Sequence, residues 1–316
     1  MTDPIITAVV PVFNRVDLVR PALASVFRAA ARHPGVEVVL VDNGSTDGAE
    51  QVVASYGDRA TVLWHSGSIA ALRNYGARAG TGHYVSFLDS DVVVPDDYFA
   101  RLERLLAADV ADAVGCEYHL PDQPCWTERV WHLLTVREDD GPRHYINSGN
   151  FAVTRAIFER VNGFPEDFET AEDTEICRRI EAAGGRIYQS QQIAVKHLGN
   201  PKTVRGFYRR LRWHGLQIRD GQGRIYRATA FALIHVAVVA LAIVFACAAW
   251  GTAPAARVAA VAGALVALPA AVYAFRVRQV RRVVDPVAAL FLIEVMLLAR
   301  ASAFGRVLVT QAKRTA

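Results

Sequence analysis

The segment Phe87-Leu88-Asp89-Ser90-Asp91 sets two carboxylates two residues apart at the end of an apolar run. Oxygen ligands so spaced suit Mg²⁺ or Mn²⁺, and a hard cation held this way commonly bridges to a diphosphate. An Asp-x-Asp is also an ordinary loop sequence, so its place at a strand end carries the weight. Asp42 closes a second apolar run, Val36 to Val41, and Phe13 follows a third that begins at Ile5. A carboxylate there can accept from the N–H of a nucleobase while an aromatic ring packs beside it; equally, Asp42 can cap the next helix and Phe13 can belong to the core. The third acidic group is Thr170 to Cys177, with Glu172 and Asp173 where a helix begins. Either the helix dipole favours them, or one is a general base placed to take a proton from an acceptor hydroxyl.

The elements that must position these residues alternate regularly. Ile5 to Val10 reads as a strand, and Val16, Val19, Leu23, Val26 and Phe27 recur at helical spacing. Val36 to Val41 is a second strand, with a helix from about Ala49. Thr61 to Trp64, Ile69 to Ala79 and Tyr84 to Leu88 read as strand, helix and strand. Strands apolar throughout imply a mostly parallel central sheet with helices on both faces, an α/β fold. Ligands of such sheets gather beyond the carboxyl ends of the strands, here Asn14, Asp42, Asp89 and Asp91. Farther on, Tyr145 to Val153 reads as strand plus turn, Arg155 to Val161 as a short helix, and Ala171 to Ala183 as a helix closed by Gly184 and Gly185.

Composition separates the chain into two parts. Its 316 residues are 52% hydrophobic and 21% charged, which excludes disorder, collagen and a disulfide scaffold. The net charge of +4 is unevenly spread: residues 1–195 carry 17 basic and 28 acidic side chains, residues 196–227 nine and one, and residues 228–316 nine and two. The basic excess flanks apolar segments and comes with no nucleic-acid-binding signature, so it points to membrane lipid and not to nucleic acid. Residues 228–249 are uncharged and, at ~1.5 Å per residue, long enough to cross a bilayer. Residues 258–275 form a second such run, with Gly251 to Arg257 a tight turn between them. The arginines at 276, 278, 281 and 282 then put both ends of this hairpin in the cytosol. A third apolar segment, about 284–304, holds Glu294 and reads as interfacial or re-entrant. Met1 to Thr7 has no basic region, so no secretory signal is expected. Cys116, Cys125, Cys177 and Cys247 lack metal spacing and read as free thiols, with a Cys116–Cys125 disulfide the alternative.

In order along the chain, Pro11-Val12-Phe13-Asn14-Arg15, Val41 to Gly48, Arg73-Asn74-Tyr75-Gly76, Asp89-Ser90-Asp91, Asn150-Phe151-Ala152, Gly163-Phe164-Pro165 and Glu172-Asp173 resemble the inverting glycosyltransferases of family 2. The resemblance spans roughly residues 5–215 and implies a GT-A nucleotide-diphospho-sugar transferase fold, followed here by C-terminal membrane helices. It implies that Pro11, Phe13, Asn14, Asp42, Arg73, Asp89 and Ser90 bind the nucleotide sugar, Phe13 standing where the family usually has tyrosine. Asp91 becomes the principal ligand of Mg²⁺ or Mn²⁺, with Asp89 beside it. Asp173 becomes the catalytic base, with Glu172 on the acceptor side. His197 matches a histidine that can complete the metal site, or is an ordinary loop histidine. Arg209 to Trp213 resembles the Gln-x-x-Arg-Trp motif of processive members, with Arg in place of Gln. Arg212 and Trp213 then close over the diphosphate or dock at headgroups. Trp126 and Trp131 line an acceptor cleft or pack in the core.

The organisation expected is a cytosolic catalytic domain over residues 1–215, a basic connector over 216–227 and a membrane region over 228–316, placed at the inner membrane. The activity expected is transfer of one sugar from a nucleotide-diphosphate donor to a hydroxyl of a lipid-linked or cell-envelope glycan, with a polyprenyl phosphate as the alternative acceptor. A non-catalytic nucleotide-binding scaffold is the alternative of another class.

Overall fold

A computed structural model describes residues 5–249, 251, 253–282 and 284–315, with side chains to 309. The chain forms two compact units, residues 1–123 with 138–200, and residues 124–137 with 201–316. This division departs from the expected boundary at 215: the first unit ends at Asn200, and a segment from the middle of the expected catalytic domain joins the second.

The first unit is built on an eight-stranded sheet. In sequence its elements are β1 (Ile6–Val12), α1 (Val16–Ala31), β2 (Val36–Asp42), α2 (Ala49–Ala54), β3 (Thr61–Trp64), α3 (Ile69–Ala79), β4 (Tyr84–Leu88), β5 (Val92–Val93), α4 (Tyr98–Ala107) and β6 (Ala113–Gly115). With the second unit's α5 (Trp126–Thr135) intervening, the first continues through β7 (Gly141–Pro142), β8 (Asn150–Thr154), α6 (Arg155–Arg160), α7 (Glu172–Ala182), β9 (Ile187–Gln189) and β10 (Lys196–His197). The order is β3-β2-β1-β4-β8-β6-β9-β7, with β3, β2, β1 and β4 parallel and β8 antiparallel to both its neighbours. The first half therefore matches the expected parallel sheet, and the second half is mixed. Tyr145 to Asn147, read as strand, precede β8 as irregular chain.

Alternation along each strand sends side chains to opposite faces, and both faces are covered. Val10, Leu40 and Leu88 pack with Val19, Leu23 and Leu102 on one face, while Val9, Val41 and Phe87 pack with Leu72, Phe158 and Ile176 on the other. Every residue of β1 is buried. Pro11 is tolerated in this central strand because pairing with β4 ends at Val9, leaving β2 as the one ladder beside it. A separate two-stranded ribbon pairs β5 with β10, His197 opposite Val92.

The second unit is helical: α5, α8 (Val204–His214), α9 (Arg227–Ala248), α10 (Pro254–Val280) and α11 (Pro286–Thr315). Among the described residues three helices are long and apolar enough to cross a membrane, at Arg227–Ala248, Pro254–Val280 and Pro286–Val309. The first matches the expected 228–249 to within one residue at each end, and the second extends the expected 258–275 at both ends. The turn expected over 251–257 is shorter, because the next helix begins at Pro254; residue 252 lies outside the described residues. The third is longer than its apolar core suggested, one continuous helix to Thr315. His235, inside the first of these helices, is paired with Glu294 at 2.9 Å. Trp131 packs edge-on against Phe207 in this unit, and Trp126 is tilted against Phe291. All four cysteines are free, which removes the Cys116–Cys125 alternative.

Candidate active site

Two loops interlock beyond the ends of β1 and β2. Asn14 and Arg15 both take left-handed backbone, φ 54° and 64°, a conformation that costs a non-glycine residue free energy unless neighbours hold it. They are held: the Asn14 N–H donates to Ser45 Oγ (2.8 Å), Asn14 Oδ1 accepts from the Thr46 N–H (2.9 Å), and Asp47 accepts from the Val16 N–H (3.0 Å). Phe13 is left half-exposed at the strand end. Asp42 is fully buried, and its Oδ1 accepts from the Ser45 hydroxyl at 2.5 Å. In this arrangement its carboxylate fixes the 43–47 loop and does not face outward. Pro11 is buried within β1, while Ser90 is half-buried in the turn after β4.

The Asp-Ser-Asp turn holds two carboxylates in different company. Asp89 Oδ1 meets Arg73 Nη2 at 2.8 Å, and its Oδ2 accepts from the Tyr118 hydroxyl at 2.9 Å. Burial first, then the Asp89 and Asp91 charges, push the Tyr118 phenol well above its ordinary range, so it stays a donor. Asp91 Oδ2 meets Arg15 Nη1 at 2.9 Å, and its Oδ1 lies 3.2 Å from His197 Nε2. The β5–β10 ribbon brings His197 there, and the Leu198 N–H donates to the Asp91 carbonyl. Two glycines make these approaches possible. A Cβ on Gly149 would fall 2.1 Å from Asp89 Oδ2, and one on Gly199 would fall 1.8 Å from Asp91 Oδ2.

The third acidic group joins the first through Arg73. Its Nη1 donates to Glu172 Oε1 at 2.7 Å, so one buried guanidinium spans Asp89 and Glu172. Ala171, at φ 67°, turns the chain into α7 and starts the helix at Glu172. Asp173 is half-buried, accepting from the Tyr145 hydroxyl (2.7 Å) and from the Thr174 N–H (2.7 Å). Desolvation and then the neighbouring Glu172 charge raise its pKa to about 7, against the lowering effect of Tyr145, the Thr174 N–H and Arg73.

The residues present fit a divalent cation at Asp91 and His197. His197 Nδ1 lies 2.7 Å from Asn200 Oδ1; as donor to that oxygen it leaves Nε2 a lone pair facing a carboxylate oxygen. Two acceptors so placed, both nearly buried, are what a cation joins. The expected trio of Asp91, Asp89 and His197 is not assembled: among the described residues no three His, Cys, Asp or Glu side chains converge as metal ligands. Asp89 is the one displaced, because Arg73 and Tyr118 engage both its oxygens. Arg212 and Trp213 end α8 in the second unit. Arg15, Tyr118, Tyr145 and Asn200 were not singled out by type or spacing. Arg15 alone had a signal, its place in Pro-Val-Phe-Asn-Arg.

Residues 7–161 match the model of glycosyl transferase family 2, and residues 137–204 match one described as the N-terminal domain of galactosyltransferase. The fold is GT-A-like, and residues 7–161 match a glycosyltransferase family 2 domain. Among relatives, glycosyltransferase AglE of Haloferax volcanii is 25% identical over 210 residues, covering 63% of this chain and 69% of that protein. A validoxylamine A glucosyltransferase of Streptomyces hygroscopicus is 27% identical over 223 residues, covering 57% of this chain but only 52% of that one. Among solved structures, the mannosyltransferase PcManGT of Pyrobaculum calidifontis, in complex with GDP-Man and Mn²⁺, superposes over 98% of this chain and 88% of its own with a TM-score of 0.58 at 21% identity.

Proposed function

We propose that the chain transfers a single sugar, with inversion at the anomeric carbon, from a nucleotide-diphosphate sugar to a hydroxyl of a lipid-linked or cell-envelope glycan at the cytosolic face of the inner membrane. The observation that carries this reading is Asp173, a carboxylate raised to about 7 and oriented by Tyr145. A base is most effective when its pKa lies near the working pH. A phosphate nucleophile, as on a polyprenyl phosphate, would have no use for one, and neither would a non-catalytic scaffold.

In this reading the donor lies across the carboxyl ends of β1, β2 and β4, as ligands of such sheets do. Phe13 and Asn14 flank the nucleotide, and the Asp42–Ser45 contact keeps their loop in shape. Asp91 and His197 would hold Mg²⁺ or Mn²⁺, which would offset charge developing on the leaving diphosphate. Asp173 takes the proton of the attacking hydroxyl while Glu172, tied to Arg73, keeps that end of α7 in register with Asp89. The relatives' names include sugar transferases, and the nucleotide sugar and Mn²⁺ in the PcManGT complex support the donor class. Arg212 and Trp213 serve the diphosphate or the headgroups.

The test is single-turnover transfer alongside donor binding for Asp173→Asn. The amide keeps the shape but cannot accept the proton, so transfer should slow by about 10²-fold or more with donor affinity nearly unchanged. Near wild-type transfer would remove Asp173 from the mechanism, and loss of donor binding would move it to the donor site.

A further inference from the structure

The two carboxylates of the Asp-Ser-Asp turn have partners of opposite character. Asp89 is paired with Arg73, whose side chain is 4% exposed and held at both ends. Asp91 is itself nearly buried, but its partner Arg15 is 51% exposed. Arg15 reaches Asp91 Oδ2 with Nη1 and the Gly199 carbonyl with Nη2 at 3.2 Å, and a Cβ on Gly199 would strike both groups. Its backbone, by contrast, is fixed in the left-handed region by the Ser45, Thr46 and Asp47 contacts. The result is a fixed stem with a solvent-exposed charged tip, resting on the oxygen that faces away from His197.

We infer that Arg15 is an exchangeable counter-cation for Asp91: it neutralises this carboxylate before a divalent cation arrives, yields it to the metal, and turns its guanidinium to the donor's diphosphate. The inference rests on the assignment of the metal to Asp91 and His197. Two cations contend for one nearly buried carboxylate, so metal and Arg15 oppose each other until a diphosphate supplies the negative charge that satisfies both. Arg15 thereby couples metal binding to nucleotide binding and disfavours a metal-loaded site without donor. Arg73, locked between two acids, cannot play this part.

The experiment measures Mn²⁺ binding to the full chain in detergent, by the electron paramagnetic resonance of free Mn²⁺, with and without GDP or UDP. Without nucleotide, Arg15→Gln should bind Mn²⁺ about fivefold more tightly than wild type, the scale of a partly exposed ion pair. Arg15→Lys, which keeps the charge, should stay near wild type. With Mn²⁺ present, Arg15→Gln should hold the nucleoside diphosphate about tenfold more weakly, the scale of a lost charge-assisted hydrogen bond. Unchanged or weaker Mn²⁺ binding by Arg15→Gln, equal tightening by Arg15→Lys, or unchanged nucleotide affinity would each overturn the exchange. Asp91→Asn is the separate control: wild-type Mn²⁺ binding by that variant would remove the metal site itself, and the exchange with it.

Discussion

Arg73 holds Asp89 at 2.8 Å with one terminal nitrogen and Glu172 at 2.7 Å with the other. Burial works against its charge, but the two carboxylates more than reverse this and the guanidinium titrates well above its ordinary value. The pair of contacts joins the end of β4 to the start of α7, two regions 83 positions apart in sequence. The two acids that the proposed function assigns to the donor and acceptor sides are therefore held by one side chain.

Removing that side chain leaves two acids without their shared partner. Arg73→Gln should lower stability by about 3 kcal/mol, the usual cost of breaking a buried ion pair from one side, and abolish transfer. Arg73→Lys can reach only one acid at a time and should fall between. Thermal unfolding in detergent, read beside activity, checks both.

The pH dependence follows from Asp173. Because its folded-state pKa is raised to about 7, the base is protonated below that pH, and kcat/KM should rise through about pH 7 with a one-proton slope. The Tyr145 hydroxyl lowers this pKa by donating to the charged form. Tyr145→Phe should therefore shift the rising limb to higher pH. The stability sign is opposite to that of a salt-bridged acid: between the ordinary carboxylate range and about pH 7 the folded state keeps a proton the unfolded state has lost. Stability should fall as pH rises across that window and level off above it. A limb that stays put in Tyr145→Phe would show that another group sets it.

Asn200 is the partner of His197 Nδ1 at 2.7 Å, and such partners fix which nitrogen of a ligating imidazole stays free. Asn200→Ala should weaken Mn²⁺-supported activity by about 10- to 100-fold, with excess Mn²⁺ restoring part of it. EDTA should abolish transfer in the wild type. Full turnover in chelator would contradict the metal assignment.

The elements of the first unit that repeat strand and helix were legible because period and composition agree: β2, β3 and β4 fall where short apolar runs put them, and α3 falls over the expected Ile69 to Ala79. The acids at the strand ends were legible for the same reason. What their oxygens touch was not. Tyr118 reaches Asp89 and Tyr145 reaches Asp173 from positions 29 and 28 residues away in sequence, each tyrosine on irregular chain whose path no periodicity encodes. The burial of Asp42 was equally hidden, because its Ser45 partner follows within a loop that any turn chemistry would satisfy. The partner of Glu294 was hidden as well: His235 lies 59 residues away, inside another apolar helix. Their pairing is what makes either acceptable there.

The third apolar helix gives the last prediction, since its length and its packing point in different directions. By length and composition Pro286–Val309 can cross a membrane. Its packing ties it to two kinds of neighbour. On α9 it meets His235 through Glu294, and on α8 it carries Phe207 and Leu211 against Leu292 and Ala299, with the Tyr208 hydroxyl donating to Ser302. α8 is an amphipathic helix with Arg205, Arg209, Arg210 and Arg212, and in the proposed membrane placement such a helix lies among headgroups, not in hydrocarbon. A helix fastened to it from Leu292 to Ser302 is held near that depth. The expected arrangement is a hairpin of α9 and α10 with α11 along the cytosolic interface. Single cysteines at 253, 278 and 306, in a chain whose exposed Cys247 is replaced by alanine, report this by labelling in sealed vesicles. Positions 278 and 306 should label from one side and 253 from the other. If 306 labels with 253, α11 crosses the bilayer and its contact with α8 does not hold it at the interface.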